Sequence, residues 1–278
     1  MATNKVLLVA GPGALIPDAT GRDLIAGCGV IAAAAAAAIT TTQLWGRLGT
    51  GFAGHPLAVL ERRGIDTAGV VCNGATPTTL APGDSCLPAI EPTAPRELGA
   101  VLLAGIPVEE TDRALAVAAR LRAQSGCLVC GWTEANDSAH QHRLADTCDL
   151  VMIPAAACTD GDEPVVAIER LRAAGAAAVL LTAGSAGGLM AYKQKRATWG
   201  AMPAPLPPRC LRGPVFAGIV AAILGANGRL DQRSLKRAML TGGAMAGSLN
   251  CFAPKTIFGW SEHDYHAGFT RLRRVLRP

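Results

Sequence analysis

The chain has 278 residues, half of them hydrophobic, 17% charged and 4% aromatic, with a formal net charge of +5. That length and a mean hydropathy of +0.29 exclude a disordered chain and supply the core of one large α/β domain. The charge is uneven: residues 209–278 hold 11 Lys/Arg against 3 Asp/Glu, net +8, whereas residues 1–208 hold 15 against 18, net −3.

In chain order, short apolar runs alternate with helical periodicity. Val6–Ala10 follows a polar start directly, is shorter than the apolar core of a secretory leader, and predicts a first strand. In Ile31–Ile39, seven consecutive alanines, the best helix formers, predict a helix lying close on a sheet. The apolar run Ala26–Ile39 has 14 residues. A membrane span needs roughly 18–20, so no membrane contact and a cytoplasmic location are expected. Strands are predicted at Leu44–Leu48, Gly69–Cys72, Ala100–Leu103, Cys127–Cys130, Leu150–Ile153 and Ala177–Thr182. Amphipathic helices are predicted at His55–Arg63, Glu109–Gln124 and Pro164–Ala174, with a more polar one at Thr133–Leu144. Five prolines between Asn73 and Glu97 predict a small lid or flap. Leu189–Thr198 reads as a β-hairpin turning at Lys193-Gln194-Lys195, followed by a proline-rich loop at Pro203–Pro208. Helices at Val215–Leu224, Gln232–Gly247 and Ser261–Leu276 close the chain. The alternation predicts a mostly parallel sheet covered on both faces.

Nine cysteines are too sparse, and odd in number, for a disulfide scaffold. The CxxC of Cys127 and Cys130 lies in an apolar run, not at the helix N-terminus a redox pair wants, so both are expected as small buried side chains. No second pair follows at zinc spacing. His140-x-His142 and His263-x-x-His266 are expected to be solvated on surface helices. At the C-terminus Arg271, Arg273, Arg274 and Arg277 alternate with Leu272, Val275 and Leu276, the pattern of a helix with an arginine face.

Several segments, in order, carry a resemblance. Gly46–Gly54, Gly-Arg-Leu-Gly-Thr-Gly-Phe-Ala-Gly, is similar to a VGxxGDDxxG turn, and Arg63-Gly64-Ile65-Asp66-Thr67 to a GVDT turn. Thr182–Gly188, Thr-Ala-Gly-Ser-Ala-Gly-Gly, is similar to a TxGxxG phosphate loop. Gly213–Gly218, Gly-Pro-Val-Phe-Ala-Gly, is similar to GDxFxGG, and Ala238–Ser248 to a helix flanking an adenine pocket. Together, over nearly the whole chain, they resemble the ribokinase/PfkB family of carbohydrate and nucleoside kinases. The resemblance implies a three-layer α/β/α sandwich with a mostly parallel central sheet, one domain over residues 1–278, and a reduced lid at residues 73–97.

Phosphoryl transfer needs a base for the substrate hydroxyl, backbone N–H groups for the developing charge, and carboxylates or their waters for Mg²⁺. In the family the base is the Asp of GAGD, and here that tetrad is Leu211-Arg212-Gly213-Pro214. Proline has neither a titratable group nor an N–H, although it suits the first turn of a helix. The magnesium motif NxxE falls on Pro154-Ala155-Ala156-Ala157, the sugar-binding Asn on Ile31, and the early sugar-binding Asp near Ile16, with Asp18 two residues on. The paired Asp of the GDD turn are Thr50 and Gly51. Independently of any alignment, the 61 residues from Arg170 to Leu230 contain no Asp or Glu.

The resemblance therefore implies a kinase fold without its catalytic set: a catalytically inactive homologue serving as a structural or regulatory subunit. The alternatives are a nucleotide or small-molecule sensor, and a divergent ATP-dependent sugar or nucleoside kinase. The residual nucleotide positions are Thr182, Gly184, Gly187, Arg212 and Gly213, with ATP expected as a weak ligand and no cofactor required. A protein partner or oligomer, with an acidic protein surface favoured over nucleic acid, is expected. The association surfaces are placed at Val70-Val71-Cys72, at Leu87-Pro88-Ala89-Ile90 and at the C-terminal helix.

Overall fold

A computed structural model describes residues 5–17, 23–74, 86–93, 95–158, 163–184, 187–199 and 209–248. Its elements run β1 (Val6–Ala10), β2 (Ala14–Pro17), β3 (Asp23–Ala26), α1 (Cys28–Ala36), β4 (Thr42–Leu48), α2 (His55–Arg62), β5 (Ile65–Cys72) and β6 (Leu98–Ala104). They continue with α3 (Thr111–Ser125), β7 (Leu128–Trp132), α4 (Ser138–Thr147), β8 (Leu150–Pro154), α5 (Pro164–Ala173) and β9 (Ala178–Thr182). A hairpin of β10 (Gly188–Tyr192) and β11 (Lys195–Trp199) precedes α6 (Arg209–Asn227) and α7 (Gln232–Ser248). Nine strands form one sheet in the order β11-β10-β9-β8-β7-β6-β1-β4-β5, parallel from β5 to β9 and antiparallel through β10 and β11.

Strand alternation sorts two cores. Leu7, Val9, Ala100, Leu102, Cys130, Trp132 and Met152 face α1, α2, α6 and α7. Leu8, Ala10, Val101, Leu103, Val129, Val151 and Ile153 face α3, α4 and α5. Because the central strands are buried on both faces, they read as continuous apolar runs. This is the expected three-layer α/β/α sandwich. Among the described residues no helix is long and apolar enough to cross a membrane.

Helix α1 reaches the sheet through missing side chains. A Cβ on Gly29 would lie 2.4 Å from the carbonyl carbon of Gly11, so the two backbones touch. Gly27 takes φ 97°, which suits a residue without Cβ, and starts the helix three residues before the predicted Ile31. The alanine run stops being helical after Ala36, where N–H groups of Ala38 and Ile39 turn to the carbonyls of Ala35 and Ala36.

Four sequence expectations change. Strands β2 and β3 pair antiparallel as a separate two-stranded sheet; their four-residue runs, one ending in proline, carry too little periodicity to announce themselves. Helix α4 begins at Ser138, not Thr133, because Asp137 caps it, its carboxylate accepting from the N–H groups of Ala139 and His140 at 2.9 and 3.1 Å. The hairpin turns on Lys193 and Gln194 alone, with Lys193 at φ 52° and Lys195 already paired to Tyr192. The strand predicted at Gly69–Cys72 is borne out but begins earlier, at Ile65, and β5 forms the sheet edge. Of the segment expected as a lid, residues 75–85 and 94 lie outside the described residues, as does the helix predicted at Ser261–Leu276. Residues 86–90 are strapped to the sheet and α3. The Glu110 carboxylate accepts from the N–H groups of Cys86 and Leu87 at 2.7 and 3.1 Å, Arg113 donates to the carbonyls of Leu87 and Pro88, and the Trp45 indole donates to Ile90. Leu87 is thereby buried, whereas Ile90 is 77% exposed.

The substitution Gly29→Ala forces α1 off β1 and is expected to destabilise the fold by about 1–3 kcal/mol, the usual cost of overpacking. A lowered urea midpoint at unchanged m-value is the readout.

Candidate functional site

In an open parallel sheet, ligands bind beyond the carboxyl ends of the strands, where the strand order changes direction. Here that point lies between β1 and β6, since the chain runs β1, β4, β5 one way and β6 to β9 the other. The carboxyl-end loops of β1, β4, β6, β7, β8 and β9, with the start of α6, make the candidate site.

At the switch point, Pro12 carbonyl accepts from the N–H groups of Gly29 and Val30 at 3.0 and 3.4 Å, so the first turn of α1 is already hydrogen-bonded. Cys28 is half-buried over Gly105, and Ile31, the position of the sugar-binding Asn, is buried in the core at 1% exposure. After β4, Thr50 opens a 3₁₀ turn and both its N–H and its hydroxyl go to the Gly74 carbonyl, at 3.1 and 3.3 Å. After β8, Ala155–Ala157 form another 3₁₀ turn, held by Gln141, whose Nε2 donates to the carbonyls of Ala157 and Ala135 at 2.6 and 2.8 Å. After β9, Thr182 leads into a loop with Gly184 at φ 59° and Gly187 at φ 90°. The loop closes on itself: Ala183 N–H donates to Gly187 at 2.8 Å and Gly187 N–H to Gly184 at 3.3 Å. Both glycines are needed for the turn alone.

The start of α6 corrects the sequence reading most. The helix does not begin at Gly213-Pro214; it begins at Arg209, so Pro214 is its sixth residue. The backbone of Arg212 and Gly213 therefore lies inside helix, and Pro214 leaves the Cys210 carbonyl without its i+4 donor. Free N–H groups belong to a first turn, and Gly213-Pro214 is not that turn. Gly213 is required for another reason. Its missing Cβ would lie 2.1 Å from the Trp132 ring, so the indole at the end of β7 rests directly on the helix backbone. Trp132 is 1% exposed, and its buried Nε1 has no hydrogen-bond partner among the described residues. Further along, Trp199 stacks on Phe216 at 6.2 Å with 7° between the rings, and lies over Gly188.

Two residues beyond Trp132, Glu134 lies on an exposed position; partial desolvation of its carboxyl by the surrounding protein raises its pKa, and no hydrogen bond or ion pair offsets this among the described residues. Next to it sits a buried chain of polar groups, which corrects the reading of His140 as solvated: it is fully buried, whereas His142 is exposed. Thr111 Oγ1 donates to the Pro107 carbonyl at 3.0 Å and so accepts from His140 Nδ1–H at 2.8 Å. His140 Nε2 accepts from Thr133 Oγ1 at 3.0 Å, and Thr133 Oγ1 accepts from Ala135 N–H at 3.1 Å. Burial, reinforced by Arg143 and opposed by Asp137 and Glu109, lowers the His140 pKa, so the ring is neutral. Cys127 and Cys130 are buried as expected, and desolvation raises their pKa, as it does that of Cys148.

The sequence reading thus placed Thr182, Gly184, Gly187 and Gly213 on the carboxyl edge, and Arg212 in α6 by its backbone; Asp18 lies outside the described residues. It missed Trp132, Glu134 and the Thr111–His140–Thr133 chain.

No family model and no curated protein matches the chain. Solved structures do. Aminoimidazole riboside kinase from Salmonella enterica, complexed with aminoimidazole riboside and an ATP analogue, superposes with a TM-score of 0.76 at 16% identity over 95% of this chain and 99% of its own. Fructokinase from Vibrio cholerae O395, in a form binding fructose, ADP and calcium, gives 0.74 at 14% over 95% and 98%. Ribokinase from Arabidopsis thaliana, complexed with ribose and ATP, gives 0.67 at 16% over 98% and 99%. The structural neighbours are ribokinase/PfkB carbohydrate kinases, and the chain has the ribokinase-like fold.

Two outcomes test this geometry. Gly213→Ala is expected to cost about 1–3 kcal/mol by overpacking against Trp132, and the cost should largely vanish in a Trp132→Leu background; a double-mutant cycle in urea measures the coupling. For His140, the folded state binds the proton less well than the unfolded chain, whose imidazole titrates near 6.5. Between the two pKa values the unfolded state carries more protons, so stability is complete above pH 6.5 and falls on acidification. The urea midpoint should drop between pH 7 and lower pH in the parent, and His140→Asn should flatten that slope.

Proposed function

We propose that this chain is a catalytically inactive ribokinase-like protein acting as a structural or regulatory subunit. The observation that carries the reading is at the start of α6. Where phosphoryl transfer calls for a base and free N–H groups, the helix runs on through Gly213 and Pro214, and the Trp132 indole covers it. A resident Mg²⁺ does not fit the donor set either. Magnesium takes oxygen ligands, commonly one or two carboxylates with substrate phosphates, and among the described residues Pro154–Ala157 present none.

A coupled ADP-release assay with ATP and ribose, fructose or adenosine tests the proposal. Turnover at the blank rate is expected, and Pro214→Asp alone should not raise it, because the sugar and metal anchors remain replaced. Turnover that a site substitution abolishes would overturn the reading. ATP as a residual ligand through Thr182–Gly187 is expected to bind weakly and equally with and without Mg²⁺ in calorimetric titration.

One observation favours the divergent-kinase alternative: Glu134, just beyond β7, is a carboxyl without a partner among the described residues, and a raised pKa suits proton transfer. On that reading, Glu134→Gln removes an activity that the parent chain possesses.

A further inference from the structure

At the opposite end of the sheet, the β10–β11 turn, the α6–α7 turn and the first turns of α7 meet. Tyr192 donates its hydroxyl proton to the Leu230 carbonyl at 2.9 Å, and Lys195 Nζ donates to Gln232 Oε1 at 3.0 Å. These contacts fix Lys193, Lys195 and Arg196 beside Arg229, Arg233, Lys236 and Arg237, all on exposed positions. Lys5, just before β1, reaches over Gly228 from the same side. The acids are few. Between Arg170 and Ser261 the chain has twelve Lys/Arg and one carboxylate, Asp231. Asp231 is engaged twice, accepting from Ser234 N–H at 2.7 Å as the cap of α7 and pairing with Arg229 at 3.0 Å. Arg196 alone of the hairpin cations is neutralised from outside, by Glu169 at 2.7 Å.

We propose that this cationic face, centred on Lys193, Lys195, Arg233 and Lys236, is a docking surface for an acidic segment of a partner protein. A single-sign cluster fixed by backbone and side-chain hydrogen bonds loses little freedom on binding and raises the local potential that steers an oppositely charged partner. Single-stranded nucleic acid would call for rings to stack on. Among the described residues the only ring within the face is Tyr192, which is half-buried, tied through its hydroxyl and faced by the Lys193 ammonium at 5.4 Å. The proposal deepens the partner-subunit reading and rests on it for its biological meaning. Its failure leaves the ADP assay result standing, and activity in that assay leaves the charge measurement standing.

The experiment uses the full chain and a fluorescent oligoglutamate peptide of about twelve residues at low salt, about 50 mM, where the Debye length still spans the face. Two variants of equal net charge are compared: Arg233→Glu/Lys236→Glu on the face, and Arg62→Glu/Arg96→Glu elsewhere on the surface. Acidic residues in the first turns of α7 complement its dipole, so the first variant is expected to fold. Circular dichroism verifies that both do. The expected result is a peptide dissociation constant raised about tenfold by the first variant and less than about twofold by the second, with affinity falling as salt rises. Equal effects of the two variants, absent peptide binding, or tighter binding of an RNA duplex of matched charge would each overturn the proposal.

Discussion

The fold depends on backbone meeting backbone where α1 and α6 lie on β1 and β6. Gly29 meets Gly11, Gly218 of α6 meets the Ala32 carbonyl of α1, where a Cβ would sit 2.2 Å away, and Gly99 of β6 meets the Gly225 carbonyl, where a Cβ would sit 2.4 Å away. No side chain larger than hydrogen fits at any of these crossings. The alanine run of α1 continues the same seam, every residue from Gly29 to Ala36 being buried. Such close approach lets two helices share one face over two adjacent strands. It also sets how far α6 projects beyond the sheet, and so where Gly213 and Pro214 stand.

From that seam the chemistry at the carboxyl edge follows. Polar groups at this edge are engaged within the protein: the N–H groups of Gly29 and Val30 by Pro12, Thr50 by Gly74, and the N–H groups of Ala183 and Gly187 by Gly187 and Gly184. The Trp132 indole rests on α6 at Gly213. Buried polar groups must find partners, and His140, Gln141 and Thr133 do so with one another's loops. These bonds stiffen the β7–α4 connection just behind Trp132.

Much of this architecture is legible in the sequence, because strands buried on both faces leave unbroken apolar runs and the long amphipathic helices keep their period. The glycine-rich turns are legible where glycine alone suits the backbone, at Gly54, Gly184 and Gly187, whose φ values are positive. What the sequence hides depends on tertiary contact. A single histidine on a polar helix looks solvated, and only the approach of Thr111 and Thr133 buries it. The early start of α6 overrides the usual preference of proline for a first turn. Trp132 and Gly213 are 81 positions apart, so the pairing of a large ring with an absent side chain leaves no local signature.

The central proposal is that the carboxyl edge of this sheet does not move a phosphoryl group. Phosphorus NMR of ATP with the purified chain, Mg²⁺ and a mixture of pentoses, hexoses and nucleosides tests it most directly. The account predicts that the γ-phosphoryl resonance persists and no phosphate ester appears over that in a protein-free control. A new ester resonance that disappears with Glu134→Gln would contradict it.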